Sequence, residues 1–277
     1  MYFFTYKYIL YGNQIYLLGD VRVEFINSKE NKLFKIIKKL KQKKYREREN
    51  LFLAEGHKFL DFSTNPKYII LRDGEEENFP KIDNFNCKKY IYSDTLFNDI
   101  STQENSQGVI LIYDFLSNSM ENLGENIVIL DRIQDPGNLG TIIRLVDAVG
   151  FKDIILTAGS VDIYNDKSVR SSMGSLFNLN INYLSEEKLV EFLKLNNYNV
   201  LSSGLTNESV NYNKVKLKNK NAIVFGNEGQ GVSENILKVS NEIVKIPIYG
   251  SAESLNVGVA TGIILYKFKE ILEEYEV

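Results

Sequence analysis

Residue types that bring ready-made chemistry are scarce in this chain. One cysteine, Cys87, excludes an intrachain disulfide and a thiolate metal cluster. One histidine, His57, excludes a catalytic pair built on imidazole, and beside Gly56 it reads as a helix-face or partly buried side chain rather than a ligand. No apolar run reaches the roughly 20 residues that a membrane-spanning helix needs. The Tyr-, Phe-, Leu- and Ile-rich segment 1–20 is interrupted by Lys7, Gly12, Asn13 and Gln14, and no small-residue cleavage site follows a clean apolar core. Positive charge is not in excess: 33 Lys and Arg stand against 36 Asp and Glu, a net charge of −3, so a polyanion must be gripped by a local patch. The G-x-G-x-x-G turn of a dinucleotide site is missing, which excludes a nicotinamide dehydrogenase of that type, and so is the G-x-x-x-x-G-K-[ST] phosphate loop. With no cysteine framework and no secretory signal, a cytoplasmic location is expected.

What is present is enough for a folded core. Hydrophobic residues make up 44% of 277 and charged residues 25%, a length that allows one large domain or two ordinary ones. Residues 1–23 read as an N-terminal extension without a role in catalysis. In 28–49, Ser28 is placed to cap a single helix whose apolar stripe is Leu33, Ile36, Ile37 and Leu40. Basic residues crowd the rest of it. Only Glu30, Glu47 and Glu49 offset them, so Lys38, Lys39, Lys41, Lys43, Lys44 and Arg46 read as a contact to a nucleic-acid backbone. Strands are expected at 51–54, 68–71, 89–92 and 109–112, and helices at 55–62 and 93–99, together a small α/β domain over 24–114. The polar stretch 115–125 reads as a linker.

From residue 126 the pattern alternates regularly. Short apolar runs at 127–130, 153–156, 179–183, 199–203, 222–225 and 243–246 alternate with helical patterns at 138–149, 168–177, 186–195 and 256–274. This predicts an α/β fold with a parallel sheet and helices on both faces. Ligands of such sheets sit beyond the carboxyl ends of the strands, which makes the loops 226–231 and 249–256 the expected pocket walls. By itself a glycine-rich turn such as Gly226 to Gly231 is equally plain turn chemistry.

Three loops together say more. D-P-G-N-L-G-T-I-I-R (Asp135 to Arg144), G-N-E-G-Q-G (Gly226 to Gly231) and S-L-N-V-G-V-A (Ser254 to Ala260) resemble, in order and wording, the three motifs of the SPOUT class of RNA methyltransferases, specifically the TrmH/SpoU family of ribose 2′-O-methyltransferases. The resemblance implies a SPOUT methyltransferase domain over 126–277 with a C-terminal trefoil knot, a homodimer, and an RNA-binding N-terminal domain like that of the rRNA-directed members. It implies S-adenosylmethionine as cofactor, bound mainly through main-chain groups at Gly226, Ile246 and Leu255, with Gly204 and Thr206 nearby and Ser254 fixing its own loop there. No metal is implied. It assigns catalysis to Asn138, Arg144, Glu228 and Asn256. Arginine is effectively always protonated. Arg144 is therefore expected to position the substrate and stabilise the developing alkoxide, while an RNA phosphate or water takes the proton. Asn138 and Asn256 are expected to orient groups around the hydroxyl, and Glu228 to orient Arg144 or bond the ribose. The loop 103–108 of the N-terminal domain reads equally as an RNA contact or a plain surface loop. Ribosomal RNA is the expected substrate. A tRNA 2′-O-methyltransferase, or a catalytically silent RNA-binding or ribosome-protecting protein of the same fold, are the alternatives, and the intact Asn138, Arg144, Glu228 and Asn256 argue against the silent one.

Overall fold

The computed structural model describes residues 15–18 and 21–275, with side chains from 23 to 274. Most of the expected extension 1–23 lies outside these. The chain forms two compact units, one running to Leu116 and including Tyr164–Arg170, the other comprising Ser117–Ile163 and the chain from Ser171.

The first unit contains β1 (Ile15–Leu18), β2 (Val21–Ile26), α1 (Lys32–Lys39), α2 (Lys43–Glu49), β3 (Leu51–Glu55), β4 (Tyr68–Arg72), β5 (Lys88–Tyr92), α3 (Asp94–Ile100) and β6 (Val109–Asp114). Its mixed sheet has the order β1-β2-β5-β4-β6-β3. The strands β1 and β2 were not anticipated. Phe34, Ile37 and Leu40 from the α1 region meet Leu96, Phe97 and Ile100 of α3 and the sheet residues Ile70, Tyr92 and Ile110 in one core.

The single helix expected over 28–49 is two. Asn31, not Ser28, caps α1, its side chain accepting from the Phe34 N–H at 3.1 Å. The break follows from Arg46, which is 4% exposed and donates from Nη1 to the Leu40 and Lys41 carbonyls at 2.8 and 3.0 Å. These carbonyls lie where α1 has just ended, and a guanidinium satisfies them in place of a continued helix. The helix expected at 55–62 is also absent. Glu55 ends β3, Gly56 has φ +123°, and only a 3-10 turn, His57–Asp61, follows.

The second unit contains β7 (Asn126–Asp131), α4 (Pro136–Ala148), β8 (Asp153–Thr157), α5 (Asp166–Ser171, most of which belongs to the first unit), β9 (Asn180–Leu184), α6 (Glu186–Leu195), β10 (Asn199–Ser203), β11 (Val210–Asn211), β12 (Asn221–Gly226), α7 (Glu234–Leu237), β13 (Glu242–Lys245) and α8 (Val257–Tyr275). Its sheet runs β11-β13-β10-β12-β7-β8-β9, and every neighbouring pair is parallel. The central strands are buried along their length, save the half-buried Asn126 that starts β7, as a sheet covered on both faces requires. Ile127, Ile129, Val200 and Val224 pack with Leu189 and Leu193 of α6 and Ile236 of α7. By the two-residue period of a strand, Val128 and Leu130 face the opposite side. The region 115–125 forms no helix or strand, but Met120 and Leu123 pack on this core. The helix expected at 168–177 is split, because Met173 and Gly174 turn to φ +52° and +89° between α5 and a 3-10 turn, Ser175–Asn178.

Local signals place α4 and α8. Asp135 caps α4 by accepting from the Asn138 N–H at 2.8 Å, with Pro136 in the first turn. On α8, Ile264, Leu265 and Phe268 are buried, whereas Val257, Ala260 and Ile271 are only half-buried. A methyl group added at Gly258 would lie 3.3 Å from Thr141 Cγ2, and one at Gly262 3.4 Å from Leu145 Cδ2. The two glycines of α8 thus serve the close packing of α8 on α4.

Candidate active site

A cavity of about 530 Å³ opens at the carboxyl ends of β10, β12 and β13. Its walls are the stretches 203–205, 225–231, 244–246 and 254–257, closed by Ile248, Ala260 and Ile264. The volume lies within the range of small-molecule sites. Of the residues expected to meet a cofactor, Gly204, Gly226, Ile246, Ser254 and Leu255 line it. Thr206 does not. Its N–H and Oγ1 both engage Ser209 Oγ at 2.9 Å, and Ser209 Oγ donates to the Gly204 carbonyl at 3.2 Å, so Thr206 shapes the wall from behind. Val257 and Ala260 stay half-buried because they face this space. At Gly226 a methyl group would come within 2.2 Å of both Gly231 C and Val232 N. These are backbone atoms that cannot step aside, and the strand end therefore admits glycine alone.

Beside the cavity the three loops are joined by a directed chain of hydrogen bonds. Asn256 Oδ1 caps α8, accepting from the Gly258 and Val259 N–H groups at 2.9 and 3.3 Å. This fixes the amide, leaving its Nδ2 to donate to Asn138 Oδ1 at 2.9 Å. Asn138 Nδ2 then donates to Glu228 Oε1 at 3.0 Å. The same carboxylate accepts the Asp135 and Gln134 N–H groups, each at 3.2 Å. Burial pushes the Glu228 carboxyl up, but the Asn138 side chain and the backbone N–H groups of Glu228, Asp135 and Gln134 outweigh it and hold the group below the usual carboxylate range. Loops far apart in sequence are thereby locked together by two amides that each donate and accept and by one carboxylate that only accepts.

Arg144 stands apart from this lock. It is exposed on α4, between the Thr141 and Leu145 positions that pack on α8, and forms no hydrogen bond or ion pair among the described residues. Glu228, expected to orient it or to bond the ribose, gives its carboxylate to 134, 135 and 138 and makes no bond to Arg144. Two residues that the sequence reading passed over, Asp131 and Arg132, hold the loop 227–231 from its other side. The available signal was an acidic-basic pair where strand β7 meets a turn.

In the first unit the basic side chains expected to meet RNA are partly committed to protein partners. Lys38 pairs with Asp99 at 2.9 Å, together with Lys29 at 3.1 Å. Lys41 donates to the Ser101 carbonyl at 2.7 Å, and Lys43 sits 3.7 Å from Glu47. Lys39, Lys44 and Arg48 gather round the Tyr45 ring, 5.3, 5.0 and 4.8 Å from its centre. Arg46 is a correction: buried and spent on the end of α1, it is not available to a phosphate. The loop 101–108 is organised by the buried Glu55 carboxylate, which accepts from Ser101 Oγ, Thr102 N–H and Thr102 Oγ1 at 2.6, 2.7 and 2.9 Å. Among the described residues no group of three or more His, Cys, Asp or Glu could hold a metal, and no helix is long and apolar enough to cross a membrane.

Comparison with known proteins converges on this arrangement. Residues 31–111 match the MRM3-like substrate binding domain. The 23S rRNA (guanosine(2553)-2′-O)-methyltransferase of Bacillus subtilis is 31% identical over 248 residues, 88% of this chain and 98% of that protein. The AdoMet-bound rRNA methyltransferase of Sinorhizobium meliloti has a crystal structure that superposes with a TM-score of 0.79 at 30% identity, over 90% of this chain and 98% of that one. An RNA 2′-O ribose methyltransferase structure superposes with a TM-score of 0.74 at 25% identity, over 90% and 99%. Residues 125–266, which carry the glycine-lined cavity and the Asn138–Glu228–Asn256 lock, match the SpoU rRNA Methylase family, and the chain belongs to that family.

Proposed function

We propose that the protein transfers a methyl group from S-adenosylmethionine to a ribose 2′-hydroxyl of ribosomal RNA. The observation that carries this is the convergence of three motif loops through Asn138, Glu228 and Asn256 beside a cavity whose floor tolerates only glycine at 226. The cavity fits the cofactor by its chemistry. Main-chain groups of glycine- and serine-bearing loops read an adenine edge without fixed charge, and Gly204, Gly226, Ile246, Leu255 and Ser254 are the residues that hold it. When bound, the sulfonium supplies the electrophilic methyl group.

The residues of the chain then do three things. The Asn138–Glu228–Asn256 lock holds loop 227–231 and the start of α8 in one geometry, so the cavity is preorganised before substrate arrives. The uncommitted Arg144 guanidinium grips the ribose hydroxyl or its neighbouring phosphate and stabilises the alkoxide as it forms. It remains protonated, so the proton leaves to a phosphate of the RNA or to water. The exposed Lys39, Lys41, Lys43 and Lys44, with Lys38 beside Asp99, take the RNA backbone, supplying affinity and register rather than sequence choice. Residues 24–114 serve as the substrate domain, 115–125 join the two, and 126–277 carry the catalytic domain, apart from 164–170, which pack within the first unit.

The working form is a homodimer in the cytoplasm. Val259 and Tyr266, two turns apart on one face of α8, are 53% and 50% exposed, an apolar strip of the kind a second copy covers. The decisive experiment is to map 2′-O-methyl sites in ribosomal and transfer RNA from cells with and without the gene. A site that disappears from ribosomal RNA is expected, and one lost from transfer RNA instead overturns the substrate assignment. In vitro, R144A should cut turnover far more than cofactor affinity, and equal losses in both refute its role.

A further inference from the structure

We propose that Arg132, seated on the buried carboxylate of Asp131, is a positioning residue that sets the loop 227–231 for the cofactor. This rests on the reading of the cavity beside that loop as the cofactor pocket. Asp131 ends β7 and is fully buried. Its Oδ1 accepts from Thr157 Oγ1 and its Oδ2 from the Ser233 N–H, both at 2.8 Å, and the Arg132 guanidinium lies 3.2–3.4 Å from the two oxygens. One edge of the guanidinium is thus fixed to the sheet.

The rest of Arg132 reaches across to the loop. Its backbone adopts φ +57°, unfavourable for a side chain of this size, so the surrounding contacts must hold it there. In this conformation its N–H donates to Thr157 Oγ1 and its carbonyl accepts from Asn227 Nδ2, both at 2.9 Å. Nη1 donates to Gln230 Oε1 at 2.8 Å and Nη2 to the Gly231 carbonyl at 3.1 Å. Both ends of the five-residue loop are therefore tied to one residue. The loop closes on itself as well, since Asn227 and Gly231 exchange backbone hydrogen bonds at 3.1 and 2.9 Å. Gly229, Gln230 and Gly231 are nonetheless exposed. A carboxylate–guanidinium pair that served only the core had no need to extend to exposed residues. Its reach onto the cavity wall orders that wall in advance, which removes an ordering cost from cofactor binding.

Removal of this tie predicts weaker cofactor binding with chemistry intact. R132M, and the charge-balanced D131N/R132M pair, should raise KM for S-adenosylmethionine about tenfold or more, roughly the loss of one charge-assisted hydrogen bond. The kcat at saturating cofactor and the affinity for RNA should stay near wild type, and R132K, which restores the charge without the fork, should recover part of the KM. If R132M does not fold, Q230A, which clips only the exposed contact, should give a smaller rise of about threefold. An unchanged KM in folded variants overturns the proposal, as does a parallel fall in kcat with KM unmoved. The pocket reading fails separately: A260F, which fills the cavity, should abolish cofactor binding, and if it binds as wild type does the cofactor sits elsewhere.

Discussion

Replacing Asn138 by aspartate tests the junction of the three loops in a single atom. The side chain keeps its shape, but the Nδ2 donor that faces Glu228 Oε1 at 3.0 Å becomes a second carboxylate oxygen. Asn256 Nδ2 still finds an acceptor, so α8 and its cap are undisturbed. Two unit charges near 4 Å repel by about 1 kcal/mol in water and about 4 at the effective dielectric of a protein surface, and the exposure of Glu228 puts this pair toward the low end. To this is added a lost hydrogen bond to a charged group, about 1.5–3 kcal/mol. N138A loses that bond and also the acceptor of Asn256 Nδ2, about 0.5–1.5 kcal/mol more. At neutral pH this offsets the repulsion in N138D, so the two variants are told apart by their dependence on pH rather than by their level at pH 7. That dependence has a fixed sense. In N138D the pair is relieved by taking up a proton, so one folded-state pKa is raised; the deficit is largest at neutral pH and shrinks as pH falls through that value. Thermal melting and methyl-transfer turnover for the two variants between pH 5 and pH 8 decide the matter. Identical curves at every pH would mean that Asn138 and Glu228 are not engaged in solution.

Three further outcomes are expected. G226A should lose cofactor binding and cost about 1–3 kcal/mol, because its methyl group meets backbone atoms at 2.2 Å; calorimetry showing normal cofactor affinity refutes the close approach. In the wild type, the hydrogen bonds that hold Glu228 below its ordinary 4.5 contribute stability that is fully present above that value and lost as pH falls through the lowered one; E228Q should flatten this acid limb of the melting curve, and an unaltered limb refutes the assignment. R46M should destabilise the first unit by about 2–4 kcal/mol without a separate effect on RNA, whereas K39A should leave melting unchanged while weakening RNA binding and reducing its salt dependence by about one ion; equal effects in melting and filter binding refute the division between buried and exposed cations.

The catalytic unit was largely legible because its signals are local. Alternating apolar runs act within a few residues of where they stand, and α6 and β10 fall on the expected residues, while α4 starts two residues before the expected 138 because Asp135 caps it. The elements that misled depend on partners distant in the sequence or on single backbone angles. The basic stretch 28–49 has the period of one helix, and its break is set by where Arg46 folds back. The period over 168–177 is helical too, yet two residues of positive φ interrupt it. In the site, the identity of Asn138, Glu228 and Asn256 could be read from motif wording, but their mutual hydrogen bonds could not, because those span 90 and 118 positions of sequence. Asp131 and Arg132 stand out in the sequence only as an acidic-basic pair at a strand end, and their role could not be read for the same reason: their partners at 230, 231 and 233 come close only once β7 and β12 pair.

The carboxylate that joins the loops is held below its ordinary range by four donors, and the Arg144 guanidinium on α4 has no partner in the junction. Asn138 and Asn256 do not titrate. The junction therefore presents constant charge across the neutral range, and on the proposed reading it offers the 2′-hydroxyl a position rather than a base of matched pKa. A pH–rate profile with a limb near neutrality, measured at saturating RNA and cofactor, should then survive unchanged in E228Q, since the titrating group lies outside the junction. A limb that vanishes in that variant would mean that Glu228 itself exchanges the proton, and the lock would be a catalyst rather than a frame.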